Sequence, residues 1–247
     1  DVPMNGATGH HYQGINVLIL AMTGMKYSSS RWVTFKQAQS LGGTIRKGEK
    51  GTRIVFWKVC EKKELKDDGS KDTFAMLKSF TVFNIDQCDD LDTAKIKSYT
   101  APVEGAGRSL EVARALGAEI QYGGDTACFI PSKDLIKLPS ADQFRDEANH
   151  DATLLHELVH WTGHNSRLDR IKHHDYASEE LVAEIGAAMA GAVLGVPYDG
   201  LQHVEYIAAW LKALKNDKKA IFKAAKQAQA AVNFITAGIQ VEEQAAA

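Results

Sequence analysis

The sequence predicts an α+β protein in two parts: a small basic α+β unit, then a domain of a small sheet plus helices that carries a metal site. Three observations predict it. Charge is split along the chain, strand-like segments fall in two groups, and one helical stretch holds two histidines at ligand spacing. The net charge of -2 conceals the first of these. Residues 1–66 hold 11 Lys and Arg against 4 Asp and Glu, while residues 67–247 hold 18 against 27. A front of +7 thus precedes a rear of -9, which predicts two domains with different partners and a polyanion at the front. A length of 247 residues leaves room for real cores, and 45% hydrophobic content excludes a disordered chain. Cys60, Cys88 and Cys128 are far apart and form no CxxC. That argues against a disulfide framework or a thiolate metal site and predicts a reducing, cytoplasmic setting. No signal-peptide pattern is present, and the apolar run Ile15 to Met22 is too short to cross a bilayer, so no membrane partner is expected.

The front opens with His10 and His11, then an apolar run from Val17 to Met22 that breaks at Gly24. Thr34-Phe35-Lys36-Gln37 is a capping box, so a short helix is expected over Phe35 to Leu41, ended by Gly42 and Gly43. Arg46 to Gly51 has the glycine spacing of a tight basic turn. Thr52 to Val59 is rich in β-branched and aromatic residues and predicts a strand. A polar loop at Asp67 to Ser70 returns it into a second strand over Phe74 to Ile85. Tyr12, Trp32 and Phe35 lie among Arg31, Lys36, Arg46, Lys47, Lys50, Arg53 and Lys58. Rings between cations suit single-stranded nucleic acid, because bases stack on aromatic faces while Lys and Arg neutralise phosphates. The competing reading makes the rings core residues and the charges a solvated face.

A polar, acidic stretch with Asp89, Asp90 and Asp92 follows. It closes the front domain at residues 1–88 and makes 89–107 a linker to a domain over 108–247. Ser109 to Leu116 has helical spacing with Gly117 as its stop. Glu119 to Tyr122, Ala127 to Pro131 and Leu135 to Leu138 read as three short strands. Beyond the metal helix, Ile185 to Leu194 is apolar on nearly every side and predicts a buried helix ended by Gly195. Tyr206 to Leu214 is amphipathic, and Lys218 to Ile235 predicts an Ala-rich helix with Lys218, Lys219, Lys223 and Lys226 toward solvent.

The metal site is read from Leu154 to His164. His156 and His160 are four apart, so both imidazoles share one helix face and reach one ion. Glu157 lies beside them, where it can take a proton from a water held there and pass it to a leaving group. Gly163 ends the helix. Ser166 stands where a metzincin needs its third His, which excludes that subclass. Downstream, Tyr176 to Glu184 reads as a second helix with Ser178 as its N-cap. Glu180 and Glu184 form an i,i+4 pair on one face of that helix. His150, His164, His173 and His174 are left without a role, since a lone His is more often structural than a ligand.

Glu180-Leu181-Val182-Ala183-Glu184 resembles the Glu-x-x-x-Asp element of thermolysin-type zincins. By that resemblance Glu180 is the third ligand and Glu184 holds a ligand His in its metal-binding tautomer; exchange of the two roles stays open. Other zincins use a Tyr or His against the oxyanion, which draws attention to Tyr176. A wider resemblance joins both halves. Tyr12-Gln13-Gly14-Ile15-Asn16, Trp32 to Ala38, and Gly42 to Gly51 followed by Ile54 to Lys58 resemble the N-terminal domain of ArdC-type antirestriction proteins. Leu155 to His164, Arg167-Leu168, Tyr176 to Glu184 and Tyr206 to Leu214 resemble the zincin-type metallopeptidase domain of that family.

The resemblance implies single-stranded DNA binding at the front, a HExxH metallopeptidase-type site at the rear, and carriage on mobile elements such as conjugative plasmids. It implies protection of incoming DNA from host restriction. The expected ligands are His156, His160 and Glu180, holding Zn²⁺ or another divalent metal such as Mn²⁺, with Glu157 as general base. Two alternatives stay open: a non-proteolytic DNA shield with a structural metal, and a DNA-dependent protease acting on a restriction enzyme or another DNA-bound protein. The DNA-contacting residues are nominated on chemical grounds only: Tyr12, Arg31, Trp32, Lys36, Arg46, Lys47, Lys50, Arg53 and Lys58.

Overall fold

The structure, a computed structural model, describes residues 2–65, 71–97, 108–196 and 220–245, with the main chain alone over 57–65, 71–77 and 238–245. It is an α+β architecture of two compact units, Val2–Tyr99 and Thr100–Ala247.

Strand β2 (Arg31–Thr34) divides the first unit. Successive residues of a strand point to opposite faces, so Trp32 and Val33 enter two different cores, and both are 0% exposed. Trp32 packs with Leu20, Ile54 and Val82, where Leu20 comes from α1 (Ile15–Gly24). Val33 packs with Ala38 and Leu41 at α2 (Phe35–Ser40). The predicted capping box forms: Thr34 accepts from the Gln37 backbone N–H while the Gln37 side chain accepts from the Thr34 N–H. The main sheet runs β1 (Met4–Asn5), β2, β5 (Lys71–Asn84), β4 (Thr52–Leu65), antiparallel except for β1 with β2. Asn16 ties α1 to β4 by donating to Val55 O at 2.7 Å and accepting from Val55 N at 2.9 Å. The predicted loop at Asp67–Ser70 lies outside the described residues.

The first unit extends past residue 88. β3 (Thr44–Ile45) pairs with β6 (Cys88–Asp89), Leu91 and Ile96 pack on the Val33 core, and the Asp92 N–H donates to Leu41 O. Residues 89–97, expected as linker, therefore belong to this unit; apolar side chains spaced along an acidic stretch anchor it. The remainder of the expected linker, 98–107, lies outside the described residues.

In the second unit, β7 (Glu119–Tyr122), β8 (Cys128–Ile130) and β9 (Leu135–Leu138) form a sheet in the order β7-β9-β8, which leaves β8 at an edge. Among the described residues, helices α3 (Arg108–Ala115), α4 (Glu147–Thr162), α5 (Tyr176–Leu194) and α6 (Ala220–Ala245) accompany it. Asp146 caps α4 by accepting from Asn149 N at 2.8 Å. Helix α5 begins earlier than expected. Asp175 is its N-cap, accepting from Ser178 N at 2.7 Å, so Ser178 lies inside the first turn. At Gly195 the backbone turns left-handed, φ 71°, and ends α5. Ala224, Ala225, Ala228 and Ala231 of α6 are buried, and Lys223 and Lys226 are exposed as expected. Tyr206–Leu214, Lys218 and Lys219 lie outside the described residues.

The position of α5 on α4 decides the site. A Cβ on Gly186 would meet both methyl groups of Val159 at 2.9 Å. The missing side chain lets the two helices approach until the acidic N-terminal turns of α5 face the histidines of α4.

Candidate metal centre

His156, Glu157 and His160 occupy the last two turns of α4, whose other face buries Leu154, Leu155, Leu158 and Val159. His156 Nε2 and His160 Nε2 are 3.2 Å apart. Glu180 of α5 completes the group, with Oε2 3.5 Å from His156 Nε2 and Oε1 3.4 Å from His160 Nε2. The three ligand atoms all lie within 4.8 Å of one another. Two imidazole nitrogens and one carboxylate oxygen turned toward a common point are the donor set of a divalent metal with an open position. All three side chains are only partly exposed, and each still presents a donor atom to the shared space between the helices. The residues present therefore fit a metal.

The same groups shape each other's protonation in the metal-free chain. Burial opposes a charge on His160, yet hydrogen bonds to Glu179 and Glu180 outweigh it and raise the imidazole to about 9. Burial also opposes ionisation of Glu180, and hydrogen bonds to His156 and His160 overcome it, lowering the carboxyl to about 2. Glu157 is 7% exposed. Burial pushes its carboxyl up from the ordinary range, partly offset by the charges of His156 and His160 and by a hydrogen bond from the backbone of Phe129 in β8.

Glu184 Oε1 is 3.5 Å from His156 Nδ1, on the far side of that ring from Nε2. Three further residues were not anticipated. Glu179 faces the outer nitrogen of His160, Oε1 to Nδ1 at 3.3 Å. Arg170 grips Glu179, with Nε 2.9 Å from Oε2 and Nη2 2.8 Å from Oε1. His174 Nδ1 lies 3.1 Å from Glu179 Oε2. The only sequence signal for Glu179 is its place beside Glu180, and nothing local singles out Arg170 from other cations.

Tyr176 opens α5 and is 77% exposed. Its hydroxyl pKa is raised, by partial burial first and then by the charge of Glu180, to which it also hydrogen-bonds. Among the described residues no other histidine joins these three ligand atoms. His164 pairs with Ser166 Oγ at 2.8 Å, and His150 meets Tyr122 OH at 3.0 Å. His173 is exposed.

Nominated residues of the first unit are placed unevenly. Trp32 is a correction: it is 0% exposed in the core, its ring edge-on to Tyr27, and offers no face to a base. Its indole bulk fills the space between α1 and the sheet, which outweighs any stacking role. Tyr12 packs on the same core, and its hydroxyl accepts from Asn5 at 3.4 Å. Arg31 is half-buried and donates to Lys97 O at 3.1 Å. Arg46 is engaged by Asp89 at 3.2 Å, Glu49 at 3.4 Å and the Asp86 carbonyl. Lys36, Lys47, Lys50 and Arg53 are exposed. Lys58 lies in β4, where its side chain is outside what is described. Among the described residues of this unit, Phe35, Phe56 and Phe80 are exposed rings, at 54%, 52% and 46%.

Residues 1–83 match the family described as the N-terminal domain of anti-restriction factor ArdC, and residues 108–227 match a family described as zincin-like metallopeptidase. The crystal structure of an antirestriction ArdC protein from the R388 plasmid, in metal-free form, superposes with a TM-score of 0.82 at 38% identity. It covers 96% of this chain and 88% of that one. The Mn(II)-bound structure of the ArdC protein gives a TM-score of 0.79 at the same identity and coverage. A DNA primase TraC of Escherichia coli is 39% identical over 98% of this chain, but the match spans only 25% of the primase. An uncharacterized protein of Sinorhizobium fredii is 34% identical, over 95% of this chain and 81% of its own length.

Proposed function

The chain belongs to the ArdC family of antirestriction proteins, and on that footing we propose that it protects incoming DNA from host restriction with two separate tools. The first unit holds single-stranded DNA. The second unit hydrolyses a peptide bond in a protein substrate. The observation that carries this reading is the meeting of His156, His160 and Glu180 at one point with the buried carboxylate of Glu157 beside them.

His156, His160 and Glu180 would hold a divalent metal such as Zn²⁺ or Mn²⁺, which when bound supplies Lewis-acid polarisation of the scissile carbonyl. Glu157 takes a proton from the attacking water on a carboxylate oxygen and delivers it to the leaving nitrogen. Burial raises its pKa and so strengthens it as a base, while the Phe129 backbone keeps it aimed. Among the described residues strand β8 is an edge strand next to α4, so its main-chain groups other than the one that Phe129 gives to Glu157 can pair with an extended peptide laid beside the site. The exposed Tyr176 hydroxyl, at Glu180, is placed to donate to the developing oxyanion.

At the front, Lys36, Lys47, Lys50 and Arg53 neutralise phosphates, and Phe35, Phe56 and Phe80 replace Trp32 as stacking faces. No helix among the described residues is long and apolar enough to cross a membrane. The reading is tested in cells receiving a plasmid by conjugation into a restricting host. Glu157→Gln and the pair Lys47→Ala with Lys50→Ala should each lower the yield of unrestricted plasmid. Full protection by a metal-loaded Glu157→Gln protein would overturn the peptidase reading and leave a DNA shield whose metal is scaffold.

A further inference from the structure

A buried carboxylate with no place in the proposed chemistry stands behind the metal site. Glu179 is 7% exposed and Arg170 is 4% exposed. A buried ion pair loses the hydration of both charges, so it persists only where hydrogen bonds on all sides repay that loss. Here they do. The guanidinium spans both oxygens of Glu179 at 2.8–3.1 Å, donates to Val159 O at 2.7 Å, and approaches Thr162 Oγ1 at 3.3 Å. It thereby closes the C-terminal turn of α4, where carbonyls lack helical donors. A Cβ on Gly163 would come within 2.9 Å of Arg170 Nη2, so the glycine that ends α4 also makes room for the clamp. On its remaining sides Glu179 faces His174 Nδ1 at 3.1 Å and His160 Nδ1 at 3.3 Å, and His174 is itself steadied by Gln227 of α6 at 2.8 Å.

A metal ligand His needs its second nitrogen hydrogen-bonded to fix both tautomer and ring plane. His156 has Glu184 for this, at 3.5 Å. We propose that Glu179, held by Arg170, is the positioning residue for His160: it accepts the Nδ1–H and turns Nε2 toward the metal. The arrangement makes α5 supply one ligand and both orienting carboxylates, so metal affinity depends on a loop arginine with no contact to the ion. This inference rests on the reading of His156, His160 and Glu180 as ligands.

The test uses the full chain after metal removal, with Zn²⁺ affinity measured by competition against a chromophoric chelator and the visible spectrum of Co²⁺ as a geometry readout. Circular dichroism of each metal-free protein reports its fold. Glu179→Gln should weaken Zn²⁺ binding by about 10–100-fold and shift the Co²⁺ bands. Glu179→Asp keeps the charge for Arg170 but withdraws the oxygens from His160, so it should weaken binding by about tenfold while the metal-free fold stays native. A merely architectural ion pair predicts unchanged affinity in that second variant. Wild-type affinity and spectrum in both folded variants overturn the proposal, and so does loss of the metal-free fold in both, which would assign Glu179 to architecture alone. Failure of the wild type to bind Zn²⁺ or Co²⁺ would sink the ligand reading instead.

Discussion

The two units place their charges in opposite ways. In the second, Glu157, Glu179, Glu184 and Arg170 are all 7% exposed or less and converge on two histidines. In the first, Lys36, Lys47, Lys50 and Arg53 face solvent. Burying a charge is costly unless it is paired, so a convergent buried cluster must have a reason to exist. An exposed lysine costs almost nothing and needs none. The metal centre therefore identifies its own members, whereas the basic surface states only the sign of its partner.

The sharpest break in this comparison comes at Glu157. Replacement by Gln keeps the side chain's shape and removes the base, so peptide hydrolysis should fall by about 10²–10⁴-fold with metal content unchanged. Metal analysis beside a turnover assay checks this, and undiminished turnover would remove Glu157 from the mechanism.

Within the first unit, burial separates aromatic residues that look alike in sequence. Trp32→Ala should cost about 3–5 kcal/mol in denaturant unfolding. Phe56→Ala, at an exposed site, should change stability by about 0.5 kcal/mol or less. A larger loss at Phe56 than at Trp32 would reverse the assignment of core and surface.

Protonation gives an effect of intermediate size. Burial opposes the charge on His160, but its carboxylate partners raise the pKa from 6.5 to about 9 in the metal-free chain. That contribution to stability is complete below about 6.5 and is lost as pH rises through about 9. Glu180, lowered from 4.5 to about 2 because its histidine hydrogen bonds outweigh burial, contributes above about 4.5 and loses its effect as pH falls through about 2. A metal takes only the neutral imidazole, so its apparent affinity should climb about tenfold per pH unit from neutrality to about 9. Affinity that is flat with pH would contradict the raised value.

The smallest effect belongs to the exposed cations. Lys47→Ala with Lys50→Ala should weaken single-stranded DNA binding modestly and flatten the dependence of log affinity on log salt by about 0.7 for each phosphate no longer neutralised. A wild-type salt slope in that variant would move the DNA surface elsewhere on the unit.

The sequence alone settles much of this protein, wherever the deciding interaction is local. The capping box at Thr34 and Gln37, the strands Glu119–Tyr122 and Leu135–Leu138, and the pairing of His156 with His160 on one helix face follow from interactions or periodicities spanning a few residues. Tertiary structure decides what lies across the chain. Trp32 and Val33 alternate in any strand, but only the packing of α1 and α2 on opposite faces buries both. Glu179, Glu180 and Glu184 sit within two turns of one helix, and no local rule allots their partners. The approach of α5 to α4 at Gly186, and the reach of Arg170 past Gly163, give Glu180 the inner nitrogens and Glu179 and Glu184 the outer ones. Spacing along a helix fixes the direction of a side chain; its partner is set by where the neighbouring helix comes to rest.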